Sequence, residues 1–441
     1  MTAAVLAPPA GPSVPPVPSV AVVDAPSRRP AWRVAWPLWL CTAGIPLAFL
    51  VGAQGVVWAL PGAVLGTRLL LARRVRSPRA ALLLAACCAL ALLGVFQVRG
   101  VGAVVFGYRW LLFAGALCAE VWLFTVSTAA VPTDRVVRWI AALWLWVVAF
   151  GWLAMWVHLD RLSPLQSVLP AGVRSAGFVD QLSAWRLAEV QRIAGQQLAR
   201  PSAPFAWANG WGSAFALGAP CFVRAWLVGV APRRRAVGVL LGLAALPPMI
   251  ASLNRGLWLT LGAALVYGAV RQAARRDVRP LVALVGLVAV VAVLLGGTGL
   301  GGSVAARLSD VANSNDSRAE VYREAWAGAL ESPVVGHGAP HEVPGSPLPP
   351  VGTHGLLWNL LYSFGFVAAG LFLLWLVLEV LASAPSRAPG AIWLHLTLLV
   401  GLLQVPIYGL LPQVVLLGTV AGLARREARD AVAAPGVGAL R

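Results

Sequence analysis

The chain has 441 residues, of which 59% are hydrophobic and 11% are charged. Water-soluble domains carry roughly 25% charged residues, so this composition excludes an ordinary soluble protein and indicates one embedded in lipid. The net charge of +18 comes from 34 basic residues, all of them arginine, which lie in short clusters between apolar runs. That distribution is typical of the cytoplasmic loops of membrane proteins and argues against nucleic-acid binding.

The N-terminal region, residues 1–34, is rich in Pro, Ala and Val and carries its arginines at the end, at Arg28, Arg29 and Arg33. A signal peptide would begin with positive charge and continue into an apolar core. Because the order here is reversed, we predict a disordered cytoplasmic tail followed by an uncleaved first span. Residues 425–441, which follow the last apolar run, are predicted to form a second cytoplasmic tail.

Residues 35–424 contain the apolar runs, and a membrane-spanning helix needs roughly 20 such residues. The sequence predicts an all-α polytopic membrane protein with about twelve transmembrane helices. The predicted spans begin near Trp36, Gly55, Ala80, Val101, Trp139, Phe205, Ala236, Gly256, Val278, Gly355, Ala391 and Leu410. If the N-terminus is cytoplasmic, the arginine clusters at 73–79, 233–235, 271–279 and 425–429 all fall on the cytoplasmic side, as the positive-inside rule requires. Both termini are then predicted to be cytoplasmic.

Two outer loops are long, residues 158–204 and 298–354, and long loops tend to carry function. Both are predicted to contain short helices. Residues 181–200 place apolar side chains at an imperfect helical spacing, which predicts a helix on the outer leaflet. Ser317-Arg318-Ala319-Glu320 has the spacing of a capping box, which predicts a helix that begins there and runs to Pro333.

Four polar residues on the predicted outer side are the candidates for chemistry. His354 ends the second long loop, one residue before an apolar run, where a lipid-linked head group would lie. Arg200, Arg255 and Arg318 are predicted on the same side, and together they could hold a pyrophosphate through forked, charge-assisted hydrogen bonds. The simpler alternatives are an interfacial histidine bonded to the backbone and arginines that pair with acids or lipid phosphate.

Two other polar groups allow a functional and a structural interpretation. His337, His341 and Glu342 suggest a metal site, but Gly338 and Pro340 between the histidines disfavour the helix that would align them, and we predict no metal. Within the spans, Glu120 and Arg224 are predicted to form a structural intramembrane pair, with a transport role as the alternative. The five cysteines lie in apolar runs, and we predict no disulfide.

Four segments resemble the O-antigen ligase and polymerase family of bacterial membrane glycosyltransferases. Residues 200–212, from Arg200 through Asn209, are similar to the family's Arg-to-Asn stretch. Residues 252–258 and 317–338 are similar to its Ser-Arg-Gly and Ser-Arg…Trp…Gly-x-Gly segments. Residues 354–365 are similar to its His-x-(nine)-Gly signature, although Gly355 stands where the ligase pattern favours Asn, Ser or Gln, and Asn254 replaces a Ser.

The resemblance implies transfer of a glycan from a polyprenyl-diphosphate carrier to a glycan, lipid or protein acceptor, without metal or cofactor, on the outer face of the bacterial cytoplasmic membrane. It implies that Arg200, Arg255 and Arg318 bind the diphosphate, that His354 acts as the general base, and that Asn209 contacts the substrate or supports a residue that does. The alternative function is a transporter or flippase of a lipid-linked or anionic substrate. The sugar, the acceptor, the choice between ligation and polymerisation, the oligomeric state and the roles of His337 and His341 are left open.

Overall fold

The computed structural model describes residues 30–174, 177–193, 196–298, 300–309, 311–341, 349–385 and 390–433. It is mostly α-helical. Before the first long loop lie α1 (Ala31–Val34), α2 (Trp36–Cys41), α3 (Ile45–Val51), α4 (Gly66–Leu70), α5 (Ala81–Leu92), α6 (Val101–Thr125) and α7 (Thr133–Trp156), with short 3₁₀ or π turns at Val56–Ala59, Pro61–Leu65 and Leu93–Gln97. The loop holds α8 (Pro164–Val168), α9 (Ala171–Arg174) and α10 (Gly177–Ser183), followed by α11 (Ala208–Trp226), α12 (Pro232–Ala244), α13 (Leu246–Ala251), α14 (Arg255–Ala273) and α15 (Arg279–Gly297). The remaining helices are α16 (Leu300–Ser309), α17 (Val311–Glu331), α18 (Leu356–Ser383), α19 (Ala391–Gln404) and α20 (Val414–Ala433).

The helices agree with the predicted class of membrane protein. Within the described residues, five helices are long and apolar enough to cross a bilayer: Val101–Thr125, Thr133–Trp156, Pro232–Ala251, Arg279–Gly297 and Leu356–Ser383. Shorter apolar helices occupy Val56–Leu70, Ala81–Gln97 and Ala391–Gln404. Helical segments overlap all of the predicted apolar runs, so the chain has the helices of a polytopic membrane protein. The number of crossings, twelve, stays a prediction.

The first long loop contains short helices, as predicted, but it also contains strands. β1 (Asp160–Arg161) pairs with β2 (Trp185–Arg186), and β3 (Ala188–Ile193) pairs with β4 (Gln196–Pro201), both antiparallel. The prediction of a surface helix over 181–200 was therefore wrong, and the chain is not all-α. Glu189 and Gln191 lie two residues apart, and that spacing places them on one face of a strand rather than along one side of a helix.

The helix before Pro333 begins earlier than predicted. α17 starts at Val311, so Arg318 lies in the body of the helix, not in its first turn. A helix that already extends upstream satisfies the amides near Arg318 with backbone carbonyls, and the capping-box side chains are then not needed. α17 buries Val321 and Ala325 against α18, and this packing fixes the side of the helix from which Arg318 projects.

Aromatic side chains fix α11 against α7. Trp144 of α7 stacks on Phe222 of α11 with ring centroids 4.2 Å apart, and it also packs on Phe215 of α11 at 5.1 Å. The indole N–H of Trp211 donates to the Val147 carbonyl at 2.8 Å. Buried aromatic pairs stabilise a contact beyond the area they bury. The N-terminus of α11 is therefore a firm support for the residues around it.

The predicted pair of Glu120 and Arg224 was wrong. Glu120 is fully buried on α6 and accepts a hydrogen bond from the indole N–H of Trp375 at 2.9 Å. Arg224 lies near the C-terminal end of α11 and reaches the helix ends there, where it donates to Asp134 at 2.9 Å and to Glu427 at 2.5 Å. Both residues have structural partners, but not each other.

Helices extend into both of the predicted tails. Residues 1–29 and 434–441 lie outside the described residues. Within the predicted N-terminal tail, Ala31–Val34 forms α1, and within the predicted C-terminal tail, α20 continues from residue 425 to Ala433. Arg426 is fully buried and donates to the hydroxyl of Thr133 at 2.9 Å, and this contact supports the extended helix.

Candidate active site

A β-hairpin, β3–β4, carries the first candidate residue. Glu189 lies directly opposite Arg200 in the hairpin register, and Gln191 lies two residues along on the same face. Arg200 Nη1 donates to Gln191 Oε1 at 2.5 Å, and Gln191 Nε2 donates to Glu189 Oε1. The second oxygen, Glu189 Oε2, accepts from the backbone N–H of Ala208 at 2.9 Å, in the first turn of α11. The hairpin therefore connects Arg200 to the N-terminus of α11.

Arg200 is itself 3% exposed, and its Nε donates to the carbonyl oxygen of Ser252 at 2.7 Å. Ser252 belongs to the turn before α14. Asn254 in this turn caps α14, because its Oδ1 accepts from Leu257 N at 3.3 Å, and its Nδ2 donates to the Ala208 carbonyl at 3.2 Å. Asparagine can therefore fill the position where the family pattern has serine, since it caps the helix and also joins α14 to α11.

Tyr408 also contacts the start of α14. Its hydroxyl group lies against the backbone of Gly256 and Leu257. A β-carbon built on Gly256 would lie 2.3 Å from that hydroxyl oxygen. Glycine after Arg255 is therefore required by the close approach of the tyrosine, and this gives a physical reason for the Arg-Gly pair in the sequence.

The loop that contains Tyr408 holds the N-terminus of α18 as well. The backbone N–H of Leu356 donates to the Tyr408 carbonyl at 2.7 Å, and that of Leu357 donates to the Val405 carbonyl at 3.0 Å. Gly355 has a φ of +81°, and a β-carbon there would lie 2.6 Å from the Pro406 carbonyl. Gln413 of the same loop donates to the Gly210 carbonyl of α11 at 2.8 Å. The starts of α11, α14 and α18 therefore approach one loop, and each helix start carries partial positive charge.

His354, directly before α18, is half-buried, and the hydrogen bonds around it select one tautomer. Its Nδ1 lies 3.0 Å from Thr353 Oγ1. That hydroxyl donates its only proton to the Pro350 carbonyl at 2.7 Å, so in this contact it must accept from His354 Nδ1–H. The tautomer inferred from this network leaves Nε2 with its lone pair. Nε2 is therefore the atom that can accept a proton.

α17 brings Arg318 to the same region. Tyr322, one turn after Arg318, stacks on Trp358 of α18 with ring centroids 4.5 Å apart and planes 12° apart. Trp358 lies four residues after His354, in the first turn of α18. The stacked pair thus holds the N-terminal half of α17 beside the loop that carries His354.

The charges in this region act on one another. Burial lowers the pKa of Arg200, the carboxylate of Glu189 raises it, and the positive charges of Arg318 and Arg255 lower it. Burial also lowers the pKa of His354; Arg318 lowers it further, while Glu189 raises it. A histidine with a lowered pKa is neutral near pH 7 and can accept a proton there.

The structure therefore connects four of the five predicted site residues electrostatically, because Arg255 and Arg318 act on Arg200, and Arg318 acts on His354. The fifth, Asn209, is half-buried in the first turn of α11, next to the amide that Glu189 binds. Its contact with a substrate stays a prediction.

Sequence reasoning missed Glu189, Gln191, Thr353 and Tyr408. The alternation of Glu189 and Gln191 was a signal for a strand that would place both side chains on one face. The others offered none, because a lone Thr or Tyr in a loop has no distinctive spacing.

The histidines proposed as metal ligands have other partners. His337 Nε2 donates to the Gly328 carbonyl at 2.9 Å, and its ring stacks on Tyr362 with centroids 4.6 Å apart. His341 Nδ1 lies 2.8 Å from the Ala339 carbonyl. Glu342 lies outside the described residues. Among those that are described, no group of three or more His, Cys, Asp or Glu side chains is placed to hold a metal ion.

This arrangement combines a neutral base with an excess of positive charge. The charge of Arg318 acts on both His354 and Arg200, that of Arg255 acts on Arg200, and the carboxylate of Glu189 acts on both Arg200 and His354. Arginine binds phosphate oxygens through paired N–H donors. The site can therefore hold a polyanionic group beside an atom that accepts a proton.

Comparison with known families agrees with this geometry. Residues 236–373 match the family model described as O-antigen ligase, and the match includes Arg255, Arg318 and His354. Arg200 and Asn209 precede the matched segment. The predicted family resemblance is confirmed over these residues. A comparison with curated proteins found no match.

Proposed function

From the O-antigen ligase domain that the chain carries at residues 236–373, we propose that it transfers a glycan from a polyprenyl-diphosphate carrier to an acceptor hydroxyl at the outer face of the bacterial cytoplasmic membrane. The observation that carries the proposal is a neutral histidine whose Nε2 accepts protons, with the charge of Arg318 acting on it and on Arg200, and the charge of Arg255 acting on Arg200. Neither group alone would specify this reaction, but a diphosphate leaving group and an acceptor hydroxyl need both.

In the proposed reaction, His354 Nε2 takes the proton of the acceptor hydroxyl. The oxygen attacks the anomeric carbon of the glycan, and the bond from that carbon to the diphosphate oxygen breaks. The proton ends on His354, and the electron pair of the broken bond leaves with the polyprenyl diphosphate. Thr353 keeps Nε2 in the accepting form before this transfer, because it holds Nδ1–H.

The arginines act on the leaving group. Negative charge grows on the diphosphate as the bond breaks, and cations placed before the reaction stabilise that charge without reorganisation. Arg200 is buried and bonded to the hairpin and to Ser252, so its position is fixed. Arg318 projects from a helix and Arg255 begins one, so the diphosphate would be held from three structural elements.

We further propose that the transfer needs no divalent metal, because the arginines supply the positive charge that a metal would otherwise provide. The test is transfer by the purified protein in EDTA. Unchanged transfer is expected. Loss of transfer in EDTA and its recovery with one specific metal would contradict the proposal.

The catalytic assignment is tested by transfer of glycan from a defined lipid diphosphate. His354→Ala should lower the rate about 10²–10⁴-fold, the usual effect of losing a general base. Arg318→Ala should lower it about 10²–10³-fold. The matched controls are His158→Ala and Arg323→Ala, which remove an exposed residue of the same type and should leave the rate unchanged. Near-normal transfer by folded His354→Ala protein would remove the assignment.

The same preparation separates transfer from transport, the alternative function. A transporter would move labelled lipid-linked glycan across a liposome bilayer without a new glycosidic bond. The proposed enzyme makes the bond in detergent, where no compartments exist. Movement across liposomes without any bond formation would replace the proposed function with the alternative.

The proposed outer location of the site is tested by cysteine labelling in a cysteine-free background. The labelled positions must be exposed, which excludes Ser202 in the first long loop because it is fully buried. Ser167 in the first long loop and Ser77 in an arginine-rich loop are both exposed. A membrane-impermeant reagent applied to intact cells should label Ser167→Cys and leave Ser77→Cys unlabelled. The reverse pattern would place the site on the cytoplasmic side.

A further inference from the structure

Another arginine, Arg109, lies in the membrane region and lines a cavity that the proposed reaction does not use. Arg109 is in α6, eight residues after Val101, which is about 12 Å along the helix. Its Nη1 atom is buried and has no hydrogen-bond partner among the described residues. An arginine at this depth in a membrane helix is costly unless a partner satisfies it, and such residues commonly mark binding sites.

The cavity beside Arg109 has a volume of about 120 Å³. Gln54 lines it, is 5% exposed and donates from Nε2 to the Ala184 carbonyl at 2.9 Å, while its buried Oε1 has no partner in the described structure. Arg109 therefore offers donors, and Gln54 offers an acceptor that is held in place. Two unsatisfied polar groups of opposite character facing one cavity indicate a ligand with both an anionic group and hydroxyls.

The other walls are aromatic. Tyr108, Phe178 and Trp207 line the cavity, and the rings of Tyr108 and Phe178 meet edge-to-face with centroids 5.4 Å apart. Tyr108 donates its hydroxyl proton to the Gly55 carbonyl at 2.9 Å, so its ring is fixed. Aromatic rings with a few convergent polar groups bind small ligands, and the nonpolar face of a sugar ring packs well on such rings.

The cavity adjoins the candidate active site. Trp207 immediately precedes Ala208, whose amide binds Glu189. Gly210 also lines the cavity, and its carbonyl accepts a hydrogen bond from Gln413 Nε2 at 2.8 Å. A group bound in the cavity would therefore lie against the same helix start that supports Arg200 and Asn209.

We propose that this cavity binds one acidic sugar residue of the glycan substrate, with its carboxylate on Arg109 and a hydroxyl on Gln54 Oε1. The volume suits a single sugar rather than a longer chain. This inference rests on the proposed function, because it assumes a glycan substrate. The acidic sugar would belong either to the donor glycan or to the acceptor.

Binding is tested on the full chain in lipid nanodiscs, with a single cysteine at Gln181→Cys in the cavity wall as a reporter. D-glucuronate should slow its alkylation, whereas D-glucose should slow it at least about tenfold less effectively, as expected for losing a charged hydrogen bond. Arg109→Gln should abolish protection. Arg99→Gln, which removes an exposed arginine near the same helix end, should preserve it. No protection by glucuronate, or equal protection by glucose, would overturn the inference.

Transfer kinetics of Arg109→Gln then identify the source of the sugar. An increase in KM for the acceptor alone assigns the acidic sugar to the acceptor, and an increase in KM for the donor alone assigns it to the donor. Unchanged values for both would contradict the inference even if transfer itself is observed. Protection by glucuronate without any transfer would support the cavity while contradicting the proposed function, so the two failures are distinguishable.

Discussion

Two groups of arginines in this protein differ in the partners they have. At one end of the helices, Arg224 lies between Glu427 and Asp134, and Arg425 forms a forked pair with Glu379 at 2.8 and 2.9 Å. In the candidate site, Arg200 instead donates to the neutral oxygens of Ser252 and Gln191. The first group is neutralised by the protein's own acids.

Arg200 reaches the carboxylate of Glu189 only through Gln191, so no direct ion pair within the described structure neutralises its charge, and we take this as the physical distinction between a structural and a functional arginine. A buried ion pair fixes helices together, and removing one partner leaves the other charge uncompensated. An arginine oriented by neutral groups costs stability to maintain and retains its attraction for an anion. A buried arginine is therefore structural where its acceptors are carboxylates, and we infer that it is functional where its acceptors are neutral oxygens.

The largest effect is expected from removing one arginine of each group by mutation and comparing the results. Arg318→Ala should lower transfer about 10²–10³-fold while the unfolding midpoint stays unchanged. Arg224→Ala should leave transfer per folded molecule unchanged and lower the free energy of unfolding by about 3 kcal/mol, because Glu427 loses its partner. Transfer rates and thermal unfolding in the same detergent measure both quantities.

A loss of stability in Arg318→Ala equal to that in Arg224→Ala would break the comparison. It would mean that Arg318 is a structural residue and that its effect on transfer is indirect.

A smaller effect is expected when the charge is kept but the shape is changed. Arg318→Lys retains the positive charge and loses the planar pair of donors, so transfer should fall about tenfold and remain above that of Arg318→Ala. The matched control is Arg323→Lys on the exposed side of α17, which should transfer normally. Full recovery by lysine would show that only charge matters and would exclude forked binding at this position.

The pH dependence of transfer sharpens the comparison through His354. The base works when neutral, so transfer should fall as the pH drops through the pKa of His354, which burial and Arg318 place below its ordinary value near 6.5. Removing the charge of Arg318 by Arg318→Gln raises that pKa and should move the acid limb of kcat/KM to higher pH. Glu189→Gln removes a charge that raises the pKa and should move the limb to lower pH.

The two variants must shift the limb in opposite directions. A shift in the same direction, or none in either, would show that His354 is not the group that titrates. Arg323→Gln is the control and should leave the limb in place.

The helices were predictable from sequence because a bilayer offers the backbone no other partner than itself. Every apolar run had to become helical, and the run at Val101–Thr125 did so over its full length, whereas Leu356–Ser383 is helical on both sides of Gly365, where a φ of +80° interrupts the helix. The loops obey no such constraint. In the first long loop the backbone can form hydrogen bonds with water, with another strand or within a helix. A hairpin formed there where a surface helix had been predicted.

The site residues were predictable only through family resemblance, and their geometry was not. Nothing in the sequence places Glu189 opposite Arg200, since hairpin register depends on where the turn falls. Likewise the capping-box pattern at Ser317 is a local signal, and it cannot report that the helix continues upstream to Val311. Local patterns indicate which elements form, whereas the meeting of α11, α14, α17 and α18 depends on packing between distant segments.

The smallest expected effect concerns Thr353, whose hydroxyl carries no charge and contacts His354 and the backbone. It accepts from His354 Nδ1–H and donates to the Pro350 carbonyl, and so it holds the ring in the tautomer with a free Nε2. Thr353→Val keeps the shape and removes both bonds. Because one neutral hydrogen bond contributes about 1 kcal/mol, transfer should fall about fivefold. Thr353→Ser retains the hydroxyl and should restore most of the rate. If Thr353 acted only in folding, valine would lower the unfolding midpoint and leave kcat per folded molecule unchanged. A fall in kcat that serine reverses, at constant unfolding midpoint, would instead identify it as the residue that positions the base.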